Sequence, residues 1–266
     1  MSDRPLAIDL FTGLHGWSSG LVADGWSVIG FDIEDMCGQF GAPRPEHVQL
    51  VLQDVLTIDG AQFRDARLVV ASPPCQEFSY MAMPWTRAKQ IARALRGEDE
   101  FPDGYRGSRT VAELTALFDA CFRIQREASA AAGRHIPMVV ENVRGAQAWV
   151  GKAPYRYGSF YLWGDVPALM PAAVNAVKVP SSSGGRRTDP CNGTRFTSRD
   201  CGIEKVVKGF TPNGGPLGKN ELGRRHGSKS KARKAASAAI AKIPFPLARH
   251  IGRVYLPTAE LMRADG

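Results

Sequence analysis

Short apolar runs alternate with helix-like periodicity over roughly the first 145 residues of the chain. Apolar residues recur at three- and four-residue steps from residue 110 to residue 132, and a glycine-rich turn opens a second helix-like stretch at residues 13–26. The runs that are short enough for buried strands cover residues 5–11, 27–35, 67–72 and 136–143. Strands that alternate with helices in this way predict βαβ units on a mostly parallel sheet, and therefore an α/β fold.

The remaining segments are less regular. An apolar run at residues 159–166 predicts a later strand, whereas the polar residues 80–109 predict a long loop. Residues 230–243 and 247–255 have helical periodicity, and the sequence PFP separates them. Because proline interrupts a helix, this pattern predicts two helices with a break between them.

The length of the chain limits its organisation. With 266 residues it can bury one α/β core and carry a small additional region, but not two large domains. No stretch approaches the ~20 consecutive apolar residues of a membrane span, and the first residues carry charges instead of an apolar signal core. These features predict a cytoplasmic protein without a membrane partner.

The cysteines are five in number and show no CxxC spacing. They are Cys37, Cys75, Cys121, Cys191 and Cys201. An odd, scattered set of this kind predicts reduced thiols, and neither a disulfide framework nor a zinc site is expected.

Positive charge is concentrated in one segment. Residues 181–234 contain 13 Lys and Arg and 4 Asp and Glu, a net charge of +9, whereas the whole chain carries +8. The segment is rich in Gly, Ser, Asn and Pro and has neither helical nor strand periodicity. This composition fits an irregular module that binds a polyanion, and it fits a solvated surface insertion equally well.

A glycine-rich turn follows the first predicted strand. Gly13 and Gly16 in the sequence FTGLHG would bring backbone N–H groups and a helix N-terminus close to a nucleotide-like ligand. Asp32, in the second predicted strand, has the position from which a carboxylate accepts hydrogen bonds from ribose hydroxyls. Ordinary α/β turns also use glycine, so a purely structural turn remains an alternative.

Two chemically reactive residues follow buried strands. Cys75 comes after the run RLVV, and Glu141 comes after the run PMVV. Because the carboxyl ends of parallel strands meet at one edge of a sheet, both side chains should face the same cleft. A thiolate beside a carboxylic acid can act as a nucleophile and a proton donor. The alternatives are a small buried hydrophobic residue for Cys75 and an ion pair with Arg144 for Glu141.

These segments together resemble the cytosine-C5 DNA methyltransferase family. AIDLFTGLHGWSSGL is similar to the S-adenosylmethionine loop of the family, ASPPCQEFS to its nucleophile motif and VVENV to its Glu-Asn-Val motif. The resemblance implies a Rossmann-like class I methyltransferase fold with S-adenosyl-L-methionine as the cofactor. It also implies a catalytic domain at residues 1–179, a small irregular basic target-recognition region at residues 180–228, and returning C-terminal helices at residues 229–266.

The resemblance assigns roles to individual residues. Cys75 would add to C6 of a flipped cytosine, and Glu141 would hold and protonate N3. The residues implied in cofactor binding are Phe11, Gly13, Leu14, Gly16, Asp32, Ile33, Asp54, Val55 and Pro74. The residues expected to contact DNA are Gln76, Ser79 and Arg87, with Arg186, Arg187, Arg224, Arg225 and Lys229 in the basic segment. A loop that contains Trp85, Arg87 and Lys89 would close over the substrate, and no metal is required.

The sequence also departs from the family pattern. His15 stands where family members usually have a second glycine, and neither a clear Gln-x-Arg-x-Arg motif nor the final Gly-Asn-Ser-Val motif is present. Arg156, or Arg186 with Arg187, are candidates for the missing cationic role. The short chain implies a reduced target-recognition region.

The expected function is therefore a DNA (cytosine-5)-methyltransferase. It would act as a monomer on double-stranded DNA in a bacterial or phage-infected cell, with or without a restriction partner. An RNA (tRNA) cytosine-5 methyltransferase is one alternative, because a branch of the family uses the same cleft on RNA. A non-catalytic DNA-binding relative is another: His15 and the missing motifs favour it, whereas Cys75 and Glu141 argue against it.

Overall fold

A computed structural model describes residues 4–76, 78–79, 84–98, 100, 110–171, 234–235, 238–239 and 241–257 of the chain. In this part of the chain, seven strands form one sheet. The strands are β1 Leu6–Leu10, β2 Ser27–Asp32, β3 Val48–Leu52, β4 Leu68–Ala71, β5 Met138–Asn142, β6 Tyr155–Tyr157 and β7 Phe160–Gly164. The helices are α1 Gly16–Ala23, α2 Met36–Phe40, α3 Trp85–Leu95, α4 Val111–Ala132, α5 Gln147–Val150 and α6 Phe245–Tyr255.

The strand order in the sheet is β3-β2-β1-β4-β5-β7-β6. Strands β1 to β5 pair in parallel, and β7 runs antiparallel to both of its neighbours, β5 and β6. The chain moves outward from β1 in one direction and then in the other, which creates a switch point between β1 and β4 where open α/β sheets bind ligands. This is the Rossmann-like class I methyltransferase fold, and the predicted fold class is confirmed.

The sheet separates two hydrophobic cores. Successive residues of a strand point to opposite faces, so Ala7 of β1 enters one core and Ile8 the other. The core on the Ile8 side is closed by α4, which contributes Phe118 and Ile124. Helices α1 and α6 close the opposite core. Both faces of the sheet are therefore covered, as the continuous apolar runs of the strands require.

Helices α1 and α6 approach each other closely. A Cβ atom on Gly20 would lie 2.4 Å from the Cβ atom of Ala248 and 2.8 Å from the backbone nitrogen of Arg249. At the end of this contact, the Trp26 indole Nε1 donates a hydrogen bond of 3.0 Å to the carbonyl oxygen of Gly252. Only glycine at position 20 leaves room for α6 at this distance.

The segment predicted as a polar loop at residues 80–109 contains helix α3, so that part of the prediction is wrong. Ala88 and Ile91 of α3 are buried at a three-residue spacing. The helix follows Pro84, and the charged and polar residues among its apolar positions gave it the composition of a loop. Trp85, Arg87 and Lys89, which we expected in a mobile loop, belong to this helix.

Helix α6 begins two residues earlier than the sequence predicted, and Pro246 lies in its first turn. Proline is tolerated there because its missing N–H would have had no partner within the helix. Helix α2 and strands β3 and β6 were not predicted at all. Of the helix predicted at residues 230–243, the described residues 234–235, 238–239 and 241 are helical.

No helix in the described part of the chain is long and apolar enough to cross a membrane. Among the described residues, Cys37, Cys75 and Cys121 form no disulfide. Cys191 and Cys201 lie outside the described residues, as does the whole of the predicted target-recognition region at residues 180–228.

Candidate active site

The loops that follow β4 and β5 meet at the carboxyl edge of the sheet. Ala71, the last residue of β4, pairs with Val140 of β5, so Glu141 lies one residue beyond this pair. The side-chain Nδ2 of Asn142 donates a hydrogen bond of 3.0 Å to the carbonyl oxygen of Pro73. Cys75 is two residues further along that loop. The topology thus brings Cys75 and Glu141 to one edge of two adjacent strands, as the sequence predicted.

Cys75 lies at the start of a tight turn. Its carbonyl oxygen accepts hydrogen bonds from the backbone N–H groups of Phe78 at 3.1 Å and Ser79 at 2.9 Å. A Cβ atom on Gly145 would lie only 1.9 Å from the carbonyl oxygen of Phe78, so the loop after β5 presses directly on this turn. The Cys75 side chain is half-buried. The backbone of Cys75 is therefore held in place, while its side chain stays partly accessible.

The sequence suggested that Glu141 follows a buried strand. In the structure it lies within that strand, β5. Its position opposite Leu162 of β7 places it on the sheet face that α1 and α6 cover. Glu141 is only 2% exposed.

The loop between β1 and α1 is shaped by left-handed backbone conformations. Phe11, Gly13 and His15 have φ angles of 64°, 51° and 53°. The backbone N–H of Gly13 donates a hydrogen bond of 2.9 Å to Oδ2 of Asp32, at the end of β2. This bond holds the glycine loop against Asp32, so the two predicted parts of a nucleotide site are in contact.

Asp32 combines partial burial with several hydrogen bonds. Its Oδ1 accepts from the backbone N–H of Ile33 at 2.8 Å, in addition to the bond from Gly13 to Oδ2. Burial raises the pKa of Asp32 above its usual value, and these backbone N–H groups oppose that rise. A carboxylate has about four acceptor positions, so Asp32 can still accept a hydrogen bond from a ligand hydroxyl.

An exposed aliphatic surface lies beside this carboxylate. Ile33 is 70% exposed directly after β2, and Leu52 is 60% exposed at the end of the neighbouring strand β3. Asp54 is exposed two residues after Leu52, and its Oδ1 accepts a hydrogen bond of 2.9 Å from the N–H of Leu56. Apolar side chains next to acceptor oxygens suit a flat heterocycle that carries an amino group.

The other predicted cofactor-binding residues differ in how open they are to a ligand. Leu14 and Val55 are buried, so they can offer a ligand only their backbone. A Cβ atom on Gly16 would lie 2.5 Å from the backbone nitrogen of Ile243, so the close neighbour that requires this glycine is protein. Pro74 is exposed in the loop that leads to Cys75.

His15 is buried at the N-terminus of α1, with 1% of its surface exposed. Neither ring nitrogen has a hydrogen-bond partner among the described residues. Burial lowers the pKa of His15, and the nearby charge of Arg44 acts in the same direction, so the neutral imidazole is favoured. Its left-handed φ explains why glycine suits this position.

Asp9 is a buried carboxyl group that the sequence reasoning did not single out. It lies in β1 with no exposed surface, and its Oδ2 accepts hydrogen bonds from the backbone N–H and the hydroxyl of Ser18. Burial raises the pKa of Asp9 to about 7. The available signal was a charged residue inside the apolar run PLAIDLF.

The predicted DNA-contacting residues are placed differently from one another. Gln76 is exposed and Ser79 is half-buried beside Cys75. Arg87 is only 5% exposed on α3, so it does not offer an open phosphate contact in this structure. Arg156 is exposed on β6, opposite Tyr161 of β7.

The basic residues predicted to contact DNA lie outside the described part of the chain. They are Arg186, Arg187, Arg224, Arg225 and Lys229. Within the described part, no group of three or more His, Cys, Asp and Glu side chains is arranged to hold a metal ion.

No protein-family model matches the sequence, and no curated protein matches it. Several solved structures are similar to this chain. The Dnmt2 methyltransferase of S. pombe has a TM-score of 0.44 and 11% identity, with 94% of this chain and 98% of that chain covered. The Entamoeba histolytica methyltransferase EhMeth has a TM-score of 0.41 and 13% identity, with 98% of each chain covered.

A putative DNA modification methyltransferase encoded within a prophage, from E. coli, is also similar. Its TM-score is 0.32 at 19% identity, with 54% of this chain and 33% of that chain covered. The match therefore spans about a third of the E. coli protein. At such identities and TM-scores, the fold assignment rests on the strand order of the sheet.

Proposed function

We propose that this protein is an S-adenosylmethionine-dependent DNA (cytosine-5)-methyltransferase. The observation that carries the proposal is the hydrogen bond from Asn142 to Pro73. It joins the loop of Cys75 to the strand of Glu141, so a nucleophile and a buried acid are held at one edge of the sheet. This pair matches the chemistry that methylation of cytosine C5 requires.

Carbon C5 of an intact cytosine ring is a poor nucleophile, and the duplex hides it within the base stack. A base rotated into the cleft becomes reachable, and the Cys75 thiolate adds to C6. Glu141 donates a proton to N3 as this bond forms, so negative charge does not accumulate on the ring. C5 would then take the methyl group from the sulfonium of the cofactor, whose sulfur–methyl bond breaks. Loss of the C5 proton to a solvent base, elimination of the Cys75 thiolate and return of the N3 proton to Glu141 would restore the aromatic ring.

The loop from β1 to α1 and the ends of β2 and β3 fit S-adenosylmethionine. Asp32 would accept hydrogen bonds from the ribose hydroxyls, Ile33 would lie against the adenine ring, and Asp54 would accept from the adenine amino group. When bound, the cofactor supplies an electrophilic methyl group. The N–H of Gly13 and the left-handed loop around it hold Asp32 in position for this ligand.

Double-stranded DNA is the proposed substrate. The support is the net charge of +9 in residues 181–234, which suits a phosphate backbone, and the resemblance of the three motifs to DNA-modifying enzymes. Gln76 and Ser79, next to Cys75, would contact the DNA around the flipped base.

A mechanism-based trap tests this function. Duplex DNA that carries 5-fluorocytosine should form a complex that survives denaturing electrophoresis, because fluorine cannot leave C5 as a positive ion. Since the target sequence is unknown, the substrate is a pool of random duplexes, with S-adenosylmethionine present. Cys75→Ser should abolish the complex, and Glu141→Gln should slow it severely, because an amide cannot supply the proton.

Cys121→Ala is the matched control, because it removes a different cysteine thiol, from α4. Its complex should form at the wild-type rate. A complex that persists in Cys75→Ser would identify another nucleophile. Parallel reactions with tRNA separate the substrates, and methylation of tRNA without methylation of DNA would contradict the DNA assignment.

A further inference from the structure

Arg123 on helix α4 reaches the segment that follows β3. Its Nη1 donates a hydrogen bond of 2.8 Å to the carbonyl oxygen of Ile58. Its Nη2 lies 3.3 Å from the carbonyl oxygen of Leu56 and 3.5 Å from that of Val55. One guanidinium group therefore serves three carbonyl oxygens of a segment that is 65 to 68 residues away in the chain.

Glu127, one helical turn further along α4, completes this contact. Its Oε1 and Oε2 accept hydrogen bonds from Nη1 of Arg123 at 3.0 and 2.9 Å. Oε2 also accepts a hydrogen bond of 2.7 Å from the backbone N–H of Gly60. Within this ion pair, the Arg123 guanidinium thus binds carbonyl groups of the segment, and the Glu127 carboxylate binds one of its N–H groups.

The segment held in this way is a 3-10 turn, Val55–Thr57, and Asp54 caps its N-terminus. Oδ1 of Asp54 accepts from the N–H of Leu56, and the N–H of Thr57 donates to the carbonyl oxygen of Asp54 at 3.0 Å. A turn of three residues has too few internal bonds to be stable alone, so its position depends on contacts from elsewhere. Asp54 caps the N-terminal end of the turn, and Arg123 binds carbonyl groups along it from Val55 to Ile58.

We propose that Arg123 is a positioning residue that sets the location of Asp54 for recognition of the adenine amino group. This role rests on the proposed function, in which Asp54 accepts a hydrogen bond from that amino group. Arg123 itself does not contact the cofactor. The planar guanidinium suits the task because its donors form a rigid fork that reaches several carbonyl oxygens at once, which a lysine ammonium cannot do.

The test compares two ligands that differ at the adenine amino group. The wild-type protein should bind S-adenosylhomocysteine more tightly than S-inosylhomocysteine, in which an exocyclic carbonyl oxygen replaces the amino group and would face the Asp54 carboxylate unfavourably. Arg123→Met should weaken binding of the adenosyl ligand about tenfold and leave the inosyl ligand nearly unchanged, because charged hydrogen bonds of this kind contribute that order of free energy. Isothermal titration calorimetry gives both dissociation constants.

Three controls accompany this comparison. Arg126→Met removes the same charge from an exposed position on α4 and should change neither dissociation constant. Arg123→Lys keeps the charge and should retain only part of the preference for S-adenosylhomocysteine over S-inosylhomocysteine. Hydrogen exchange at the amides of Thr57 and Ile58, which donate within the turn, should be faster in Arg123→Met than in the wild-type protein.

An equal loss of affinity for both ligands, or unchanged exchange in the turn, would show that Arg123 does not position Asp54. Failure of the proposed function looks different. In that case the wild-type protein itself would bind neither ligand, and the cofactor assignment would fall together with the role of Arg123.

Discussion

The side-chain amide of Asn142 donates a hydrogen bond to the carbonyl oxygen of Pro73, 69 residues earlier in the chain. The carbonyl group of Asn142 meanwhile accepts from the N–H of Val143 at 2.8 Å. Asn142 is 1% exposed and its bond to Pro73 is buried, so that bond is not open to competition from water. The distance between the thiol loop and the strand of the buried acid is thereby set by one side chain.

Asn142→Asp should disturb this distance with little change in volume. It places a carboxylate oxygen against the carbonyl oxygen of Pro73, where the amide had donated a hydrogen bond. Covalent capture of 5-fluorocytosine should slow by about tenfold or more, because a buried acceptor loses its partner. Affinity for S-adenosylhomocysteine should not change. A normal capture rate would mean that the loop of Cys75 is held by other contacts.

Gly20→Ala distinguishes packing from helix propensity. Alanine normally stabilises a helix interior relative to glycine by about 0.5–1 kcal/mol. Here the added Cβ would lie 2.4 Å from that of Ala248, so we expect a loss of about 1–3 kcal/mol in the free energy of unfolding. Urea denaturation measures it. A more stable variant would contradict the close contact of α1 with α6.

His15→Gly should leave the affinity for S-adenosylmethionine unchanged or improved. A φ angle of 53° is unfavourable for histidine and accessible to glycine, so the loop keeps its shape without the side chain. Calorimetric titration measures the affinity. A loss of tenfold or more, about 1.4 kcal/mol, would instead identify the imidazole as a direct ligand of the cofactor.

The buried carboxyl group of Asp9 predicts a pH dependence of stability. Burial raises its pKa from 3.8 to about 7 in the folded protein, so the folded state binds this proton more tightly than the unfolded state does. The stabilisation that Asp9 gives the folded state by binding this proton is complete below the pKa of the unfolded state. It is lost as the pH rises to about 7, and the free energy of unfolding then falls by about 1.4 kcal/mol per pH unit.

Asp9→Asn removes this titration. The difference in unfolding free energy between the wild-type protein and Asp9→Asn should therefore fall between pH 4 and pH 7 and stay constant above it. Urea denaturation at several pH values gives this difference. A difference that does not vary with pH would show that the carboxyl group of Asp9 ionises normally in the fold.

The basic segment predicts a strong salt dependence of DNA binding. If Arg186, Arg187, Arg224, Arg225 and Lys229 contact phosphates, neutralising them in pairs should weaken binding to all sequences. The slope of log affinity against log salt concentration should flatten by roughly one unit for each lost contact. Binding titrations at several salt concentrations measure it, and an unchanged slope would assign the segment to a solvated insertion.

The sheet was predictable from the sequence because its central strands are buried on both faces. Such strands consist of continuous apolar runs, and the runs at residues 67–72 and 136–143 contain β4 and β5. The rule that parallel strands end at one edge then predicted Cys75 and Glu141 at the same edge of the sheet. Helix α3 was missed because its few buried positions lie among charged residues, so local composition outweighed a three-residue apolar spacing.

Other features of the site depend on contacts that no local pattern carries. The sequence marked His15 as unusual, but the left-handed backbone that explains it is set by the loop as a whole. Arg123 has the sequence environment of an ordinary helix surface, and the carbonyl groups that it binds are separated from it by more than 60 residues. The buried pair of Asp9 and Ser18 likewise becomes visible only when α1 packs beside β1.

The packing of α6 on α1 also imposes an order on synthesis. Trp26 finds its acceptor on Gly252, 226 residues later, so α1 and the loop after it emerge long before the helix that covers them. At typical translation rates of 5–20 residues per second this interval is roughly 10–45 s. During that time the face of α1 that carries Gly20 has no permanent neighbour. A nascent chain in this state exposes apolar surface, and it becomes a target for chaperones or for aggregation until residues 245–255 have been made.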